Sequence, residues 1–338
     1  MTKKISVVMC TYNGEEYLPE QLDSILDQTL PPYEIIVQDD GSTDGTLALL
    51  HAYAESHACI KVYSNEGPKG INSNFFSAMS RATGDFIAIS DQDDVWLPEK
   101  LEVLSEGIGE KLMCVGRSQP FVDSGDKGHV TIHVDPRKPN CNVVRLCYAS
   151  MPGHCMLFRR ELLEHLPSHL ETRPVFTHTW YDVILGTVAA ALDSIVLVDR
   201  FVVHWRRHVS AASYANYDTK RIRSANNALS MVWFGIRHYG RIKPLMAKHF
   251  SVRCGFLESI ESGAPIYRDV VKLLHYEGRT DLFGLFGLWR IYVKYRHVLF
   301  YTYEKDPVAL VRALLHPFMQ VYNYRYLYER LQQQGKKA

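Results

Sequence analysis

Three short runs of mainly apolar and β-branched residues, Ile5 to Cys10, Glu34 to Gln38 and Asp85 to Ser90, constrain this chain more than any other feature. Each is too short for a helix and apolar enough to be buried on both faces, as strands of a parallel sheet are. Between them, Leu18, Leu22, Ile25 and Leu26 fall at i, i+4, i+7 and i+8, one face of an amphipathic helix that Pro31 and Pro32 close off. Ser42 or Thr43 is placed to cap a helix carrying Leu47, Leu50 and Ala54, and Asn72 or Ser73 one carrying Phe75 and Met79. The predicted order is β-α-β-α-α-β, an α/β fold around a mostly parallel sheet with flanking helices.

In open α/β sheets, ligands bind outside the carboxyl ends of the strands. The first run delivers Thr11-Tyr12-Asn13-Gly14 there, the second Asp39-Asp40-Gly41-Ser42, the third Asp91-Gln92-Asp93-Asp94. Asp39, Asp40, Asp91, Asp93 and Asp94 therefore share one rim. Such a set repels itself unless a cation or hydrogen-bond donors compensate it, and a hard divalent ion carrying substrate phosphates does so. Taken alone, Asp39 to Asp44 fits a solvated turn and helix cap equally well. Asp91 to Asp94 is different, because it runs straight into the apolar Val95-Trp96-Leu97. Neither the G-x-G-x-x-G turn nor the G-x-x-x-x-G-K-[ST] loop is present, which sets dinucleotide and P-loop chemistry aside.

With 46% hydrophobic and 22% charged residues, the 338-residue chain is expected to fold throughout. Its seven cysteines include no C-x-x-C pair, which suits free thiols in a reducing compartment and argues against structural zinc. Met1-Thr2-Lys3-Lys4 leads directly into a strand without an apolar h-region, so a cytoplasmic location is expected.

The net charge of +1 hides an asymmetry. Residues 1–214 carry 18 Lys and Arg against 28 Asp and Glu, a balance of −10, whereas residues 215–338 carry 20 against 9, a balance of +11. An acidic front suits a metal and sugar site, and a basic, Tyr-rich tail suits an anionic membrane surface. Residues 116–142 lack periodicity and read as a long loop, and the pattern turns helical beyond Tyr214. Two regions follow: a catalytic domain over 1–214 and a helical extension over 215–338. In the extension, Leu282-Phe283-Gly284-Leu285-Phe286-Gly287-Leu288-Trp289 meets Arg290 after eight residues, too soon to span a bilayer. An interfacial helix and a helix packed on the catalytic domain are both open readings.

Together, Thr11-Tyr12-Asn13-Gly14, Asp39-Asp40-Gly41-Ser42-Thr43-Asp44-Gly45-Thr46 and Asp91-Gln92-Asp93-Asp94-Val95-Trp96 resemble a family 2 glycosyltransferase, over about residues 3–213. The Asp-Gln-Asp-Asp-Val-Trp form resembles its rhamnosyltransferase-like branch. The resemblance implies a GT-A fold, an inverting mechanism and a UDP-, dTDP- or GDP-linked sugar donor. Thr11 and Asp40, with Tyr12, Asn13 and Asp39 beside them, would lie near the donor's base and ribose, and Asp91 close to the sugar nucleotide. Asp93 and Asp94 would hold Mg²⁺ or Mn²⁺.

The resemblance also implies roles further along. His208 corresponds to a histidine that closes over diphosphate and metal, with Arg206 and Arg207 suited to phosphate oxygens. Asp182, ahead of an apolar helix-like run from Val183 to Leu192, would be the base that takes the acceptor's proton; its other reading is an N-cap. Trp180 beside it, and Gly153 and His154, are acceptor-side candidates, Gly153 because its small size would admit a sugar ring. His154 departs from the small or apolar residue expected there, and Met156 to Phe158 also reads as a plain buried strand. The implied acceptor is a saccharide or lipid-linked saccharide of surface polysaccharide or lipopolysaccharide assembly, at the inner face of the cytoplasmic membrane.

Two rivals differ in class. A nucleotidyltransferase would want a basic Gly-rich loop after the first strand, where Thr11 to Glu16 is acidic. A catalytically silent scaffold would not need complete acidic motifs. No nucleic-acid-binding module is visible, and no nucleic-acid partner is expected.

Overall fold

The computed structural model describes residues 3–123, 142–149, 151–208, 211, 228–299 and 305–329. They fall into two compact units, one of residues 1–136 and 149–214 and the other of residues 137–148 and 215–338.

The first unit opens with β1 (Ile5–Thr11), α1 (Leu18–Leu26), β2 (Glu34–Asp39), α2 (Thr46–Ser56), β3 (Ile60–Ser64), α3 (Ile71–Ser80) and β4 (Phe86–Ser90). It continues through β5 (Val95–Trp96), α4 (Lys100–Gly107), β6 (Met113–Phe121), β7 (Met156–Arg159), α6 (Pro174–His178), α7 (Tyr181–Ala191) and β8 (Ile195–Arg206), while α5 (Val143–Leu146) belongs to the second unit. The eight strands among the described residues form one mixed sheet in the order β3-β2-β1-β4-β7-β6-β8-β5. β3, β2, β1 and β4 run parallel, and β7 is antiparallel to both its neighbours. This is the α/β architecture expected from the sequence, with β1 at the centre of the parallel part.

The central strands are sealed. Ile5, Val7, Val8 and Met9 of β1, Ile35 to Val37 of β2 and Ile87 to Ile89 of β4 have no exposed surface. Helix α1 buries Leu18, Leu22 and Ile25 completely, each contributing about 1.5–3 kcal/mol of hydrophobic stabilisation.

Two readings of the sequence are corrected. β3 was not foreseen, because Ile60-Lys61-Val62-Tyr63-Ser64 is a half-exposed edge strand without a continuous apolar run. β6 occupies the start of the stretch read as a loop, pairing in parallel with β8 from Met113 to Phe121; the remainder, residues 124–141, lies outside the described residues. The helix caps also differ. Gly45 and Gly70 precede α2 and α3, while the Ser42 hydroxyl turns back to Asp39 and Asn72 reaches the Phe176 and Thr179 carbonyls.

The second unit contains α5 and α8 (Ala228–Glu258), α9 (Tyr267–Glu277), α10 (Leu282–Lys294), α11 (Arg296–Leu299) and α12 (Val308–Asn323). Its interior holds an ion pair between Lys243 and Glu277, both nearly inaccessible. The Glu277 carboxylate also accepts hydrogen bonds from Tyr148 at 2.8 Å and Tyr292 at 2.5 Å. A buried charge is tolerable when it is this fully compensated. Gly235 lets α8 meet α12 closely, since a Cβ there would fall 2.0 Å from the Phe318 carbonyl oxygen.

Candidate active site

Register brings the three polar segments together. Thr11 of β1 pairs with Asp39 of β2, and Met9 pairs with Ser90 of β4, so Tyr12, Asp40 and Asp91 leave the sheet side by side. Gln92 joins two of these segments, accepting from the Tyr12 amide at 2.9 Å and donating to the Tyr12 carbonyl at 3.1 Å.

The acids divide by partner. Asp39 is buried and fully engaged: Oδ1 accepts from the Gly41 and Ser42 amides, and Oδ2 accepts from the Thr11 and Ser42 hydroxyls. Thr11 and Asp39, expected near the donor, form the last rung of the β1–β2 pairing and hold the turn after β2. Asp40 clamps the loop before α3, accepting from Asn65 Nδ2 at 2.7 Å and the Gly70 amide at 2.8 Å. Tyr12 is exposed, and Asn13 adopts a left-handed φ of 48° with its side chain bonded to the Thr43 amide.

Asp91, Asp93 and Asp94 form the core of the site. Asp94 is wholly buried; Oδ1 accepts from the Arg206 amide at 3.0 Å, while Oδ2 accepts no hydrogen bond among the described residues. Burial pushes its carboxyl up to about 7, with Asp91 and Asp93 adding to the rise and His154 opposing it. His154 is the surprise. This acceptor-side candidate is buried, with Nδ1 at 3.2 Å from Asp91 and 3.4 Å from Asp94. Burial alone would lower its pKa, but the neighbouring carboxylates outweigh that and raise it well above the ordinary value. Donor atoms of Asp91, Asp94 and His154 lie within 4.8 Å of one another.

Asp93 pairs with His208 Nε2 at 2.9 Å, and the His208 ring packs against Tyr17. Of the residues expected to hold the metal, Asp93 and His208 thus meet directly, while Asp94 sits with Asp91 and His154. A buried Asp94 oxygen that accepts no hydrogen bond among the described residues, with only His154 Nδ1 at 3.4 Å and further carboxylates beside it, fits a hard, oxygen-seeking cation.

The Arg206 guanidinium is buried between the Tyr17 and Phe121 rings and held by Glu20, Asp123 and the Asp93 carbonyl, so it braces the acidic motif. Arg207 lies over the Trp205 ring at 4.2 Å.

Helix α7 brings the last group. Asp182 stands in its first turn, where Trp180 is the N-cap, so the N-cap reading of Asp182 does not hold. Burial pushes the Asp182 carboxyl from 3.8 to about 6, with Asp91 also raising it and the Val183 amide, His154 and the Gly153 amide opposing. Tyr181 stacks on Phe75 at 3.9 Å, and its hydroxyl lies 3.4 Å from Asp91. Gly153 serves this tyrosine, since a Cβ there would fall 2.3 Å from the Tyr181 oxygen. Trp180 is exposed at the start of α7.

Lys100, absent from the sequence reading, is completely buried beneath the motif. It donates to the His154 carbonyl at 2.7 Å and lies 3.2 Å over the Trp96 ring, and burial pushes its ammonium down to about 7. Its position nine residues after Asp91 was the available signal, but nothing in spacing says a lysine will turn inward.

Residues 6–167 match the family described as Glycosyl transferase family 2. Among curated proteins, EpsE of Bacillus subtilis (strain 168) is 42% identical over 100 residues, 29% of this chain and 36% of EpsE. The uncharacterized glycosyltransferase alr2836 of Nostoc sp. is 28% identical over 225 residues, 62% of this chain and 68% of that protein. The Escherichia coli glucosyltransferase WfgD, named for transfer from UDP-Glc to α-D-GlcNAc-diphosphoundecaprenol, is 36% identical over 99 residues, 29% of this chain and 38% of WfgD. The chain thus spans little more than a third of EpsE and WfgD. Among solved structures, Staphylococcus aureus TarS 1-349 in complex with UDP-GlcNAc aligns with a TM-score of 0.54 at 18% identity, covering 98% of this chain and 92% of that one. The Pyrobaculum calidifontis mannosyltransferase PcManGT, in complex with GDP-Man and Mn²⁺, aligns at 0.52 and 18% identity, covering 97% and 88%. At such identity the likeness is one of fold.

Proposed function

Because residues 6–167 match glycosyl transferase family 2, we propose that the chain is an inverting, metal-dependent transferase moving a hexose or deoxyhexose from a nucleotide diphosphate to a saccharide or lipid-linked saccharide. The observation that carries the reading is the convergence of Asp91, Asp93 and a buried Asp94, one of whose oxygens accepts no hydrogen bond among the described residues, on one rim beside an Asp182 whose carboxyl burial pushes up to about 6. The UDP-Glc donor and lipid-linked acceptor for which WfgD is named, and the UDP-GlcNAc and GDP-Man bound to TarS and PcManGT, support a nucleotide-sugar donor and a lipid-linked acceptor.

Asp91, Asp93 and Asp94 would hold Mg²⁺ or Mn²⁺, with His154 beside Asp91 and Asp94 and His208 beside Asp93. When bound, the ion offsets the negative charge that grows on the leaving diphosphate. Asp182 takes the proton from the attacking acceptor hydroxyl; the new glycosidic bond forms as the bond from the anomeric carbon to the phosphate oxygen breaks, with inversion at that carbon. Tyr12 and Asn13 border the donor, and exposed Trp180 offers an apolar face to the acceptor ring. Arg207 lies on the phosphate side. A cytoplasmic setting for surface polysaccharide assembly accords with this donor class.

The test is release of nucleoside diphosphate from UDP-, dTDP- and GDP-sugars with Mn²⁺ or Mg²⁺ and an acceptor-rich membrane extract, comparing wild type with Asp93→Ala and Asp182→Asn. Donor-specific, metal-dependent release that both substitutions abolish is expected. Release of pyrophosphate from a nucleoside triphosphate would favour a nucleotidyltransferase, and silence with every donor would favour a scaffold.

A further inference from the structure

Helices α10 and α12 each have a buried side and an unusually apolar outer side. On α10, Gly284, Gly287, Leu288 and Ile291 face inward, while Leu282, Phe283 and Phe286 are 71%, 77% and 62% exposed. On α12, Ala309 and Ala313 are buried and Val311 and Leu314 are 52% and 41% exposed. The two outer rows are joined. The Trp289 indole donates to the Leu314 carbonyl at 2.9 Å, and Phe286 packs edge-on against Trp289 at 5.5 Å. Exposed aromatic residues on helices already packed on their other faces mark an interaction surface.

Charge decides what covers them. Neither α10 nor α12 contains an aspartate or glutamate. Arg290 stands one turn beyond Phe286 on the exposed side of α10, and residues 215–338 carry 20 basic against 9 acidic residues. A second copy would bring like charges together, whereas an anionic lipid surface takes up both the cations and the aromatic rings. No described helix is long and apolar enough to cross a membrane. A helix of this composition lies in the headgroup plane with its rings in the acyl boundary.

We propose that the outer face of α10 and α12 docks on an anionic phospholipid bilayer, with Phe283 and Phe286 inserted and Arg290 at the headgroups. The inference is independent of the transferase reading, because vesicle binding requires no sugar donor.

The full chain is mixed with vesicles of phosphatidylcholine alone or with about one third phosphatidylglycerol, and bound protein is measured by flotation. Binding to the anionic vesicles that weakens with salt is expected. Phe283→Ser with Phe286→Ser should lower the partition coefficient by about tenfold or more, and Arg290→Glu should lower it at low salt, with unchanged circular dichroism. Absence of binding to anionic vesicles, or wild-type binding by the double variant, would overturn the proposal. A dimer in sedimentation velocity that the same double variant dissociates, without vesicle binding, would reassign the face to contacts between copies.

Discussion

Asp182 offers the sharpest prediction, because its environment fixes both a rate profile and a stability change. Its carboxyl titrates near 6 rather than the ordinary 3.8, chiefly because it is buried. If Asp182 accepts the acceptor's proton, only its ionised form works. About 9% is ionised at pH 5 and about 91% at pH 7, so kcat/KM should rise roughly tenfold across that interval. A carboxylate left at 3.8 would change by less than about a tenth. The assay is the initial rate of diphosphate release at saturating Mn²⁺, from about pH 5 to pH 8, with Asp182→Asn alongside. The variant should lose about 10²- to 10⁴-fold and show no inflection near pH 6.

Stability should move the other way. The folded chain holds the Asp182 proton more tightly than the unfolded chain, so stability falls as pH rises from 3.8 to about 6 and the penalty then stays constant. That difference corresponds to at most ~3 kcal/mol, and the neutral amide removes it. Asp182→Asn should therefore be more stable than wild type at pH 7, with the gain disappearing near pH 4. A flat kcat/KM between pH 5 and pH 7, or an active variant that is less stable at pH 7, would refute the reasoning.

Lys100→Met should reveal the buried ammonium: because its folded pKa lies near 7, below the ordinary 10.5, wild type gains stability between about pH 7 and pH 10 and the variant does not. A difference in Tm that stays constant with pH would argue against this. Lys243→Met strands the buried Glu277 carboxylate and should cost about 3–5 kcal/mol in urea unfolding of the full chain; a loss below ~1 kcal/mol would mean that Tyr148 and Tyr292 compensate the charge alone. Gly153→Ala forces the Tyr181 phenol away from its place beside Asp91, so a loss of about 1–3 kcal/mol and slower diphosphate release are expected, and wild-type kinetics would show that Tyr181 has no positioning role.

The sequence by itself determined the sheet's centre and the rim of acids. Strands buried on both faces must be continuous apolar runs, and β1, β2 and β4 are legible for that reason. A ligand rim at their carboxyl ends follows from parallel connection, so the sequence alone locates Asp91, Asp93 and Asp94. β3 and β6 were hidden because edge and bulged strands carry mixed residues whose partners are distant in the chain.

Only the tertiary structure decided what each polar side chain faces. Spacing cannot say that Arg206 turns inward to Glu20 and Asp123, that Asp39 spends both oxygens on its own turn, or that Gly153 makes room for Tyr181. Nor could it predict that His154 and Lys100 would be drawn under the acidic motif. These choices depend on which groups remain unsatisfied once distant segments pack. A buried carboxylate draws a cation or a donor from wherever the fold brings one, and chain order does not record that demand.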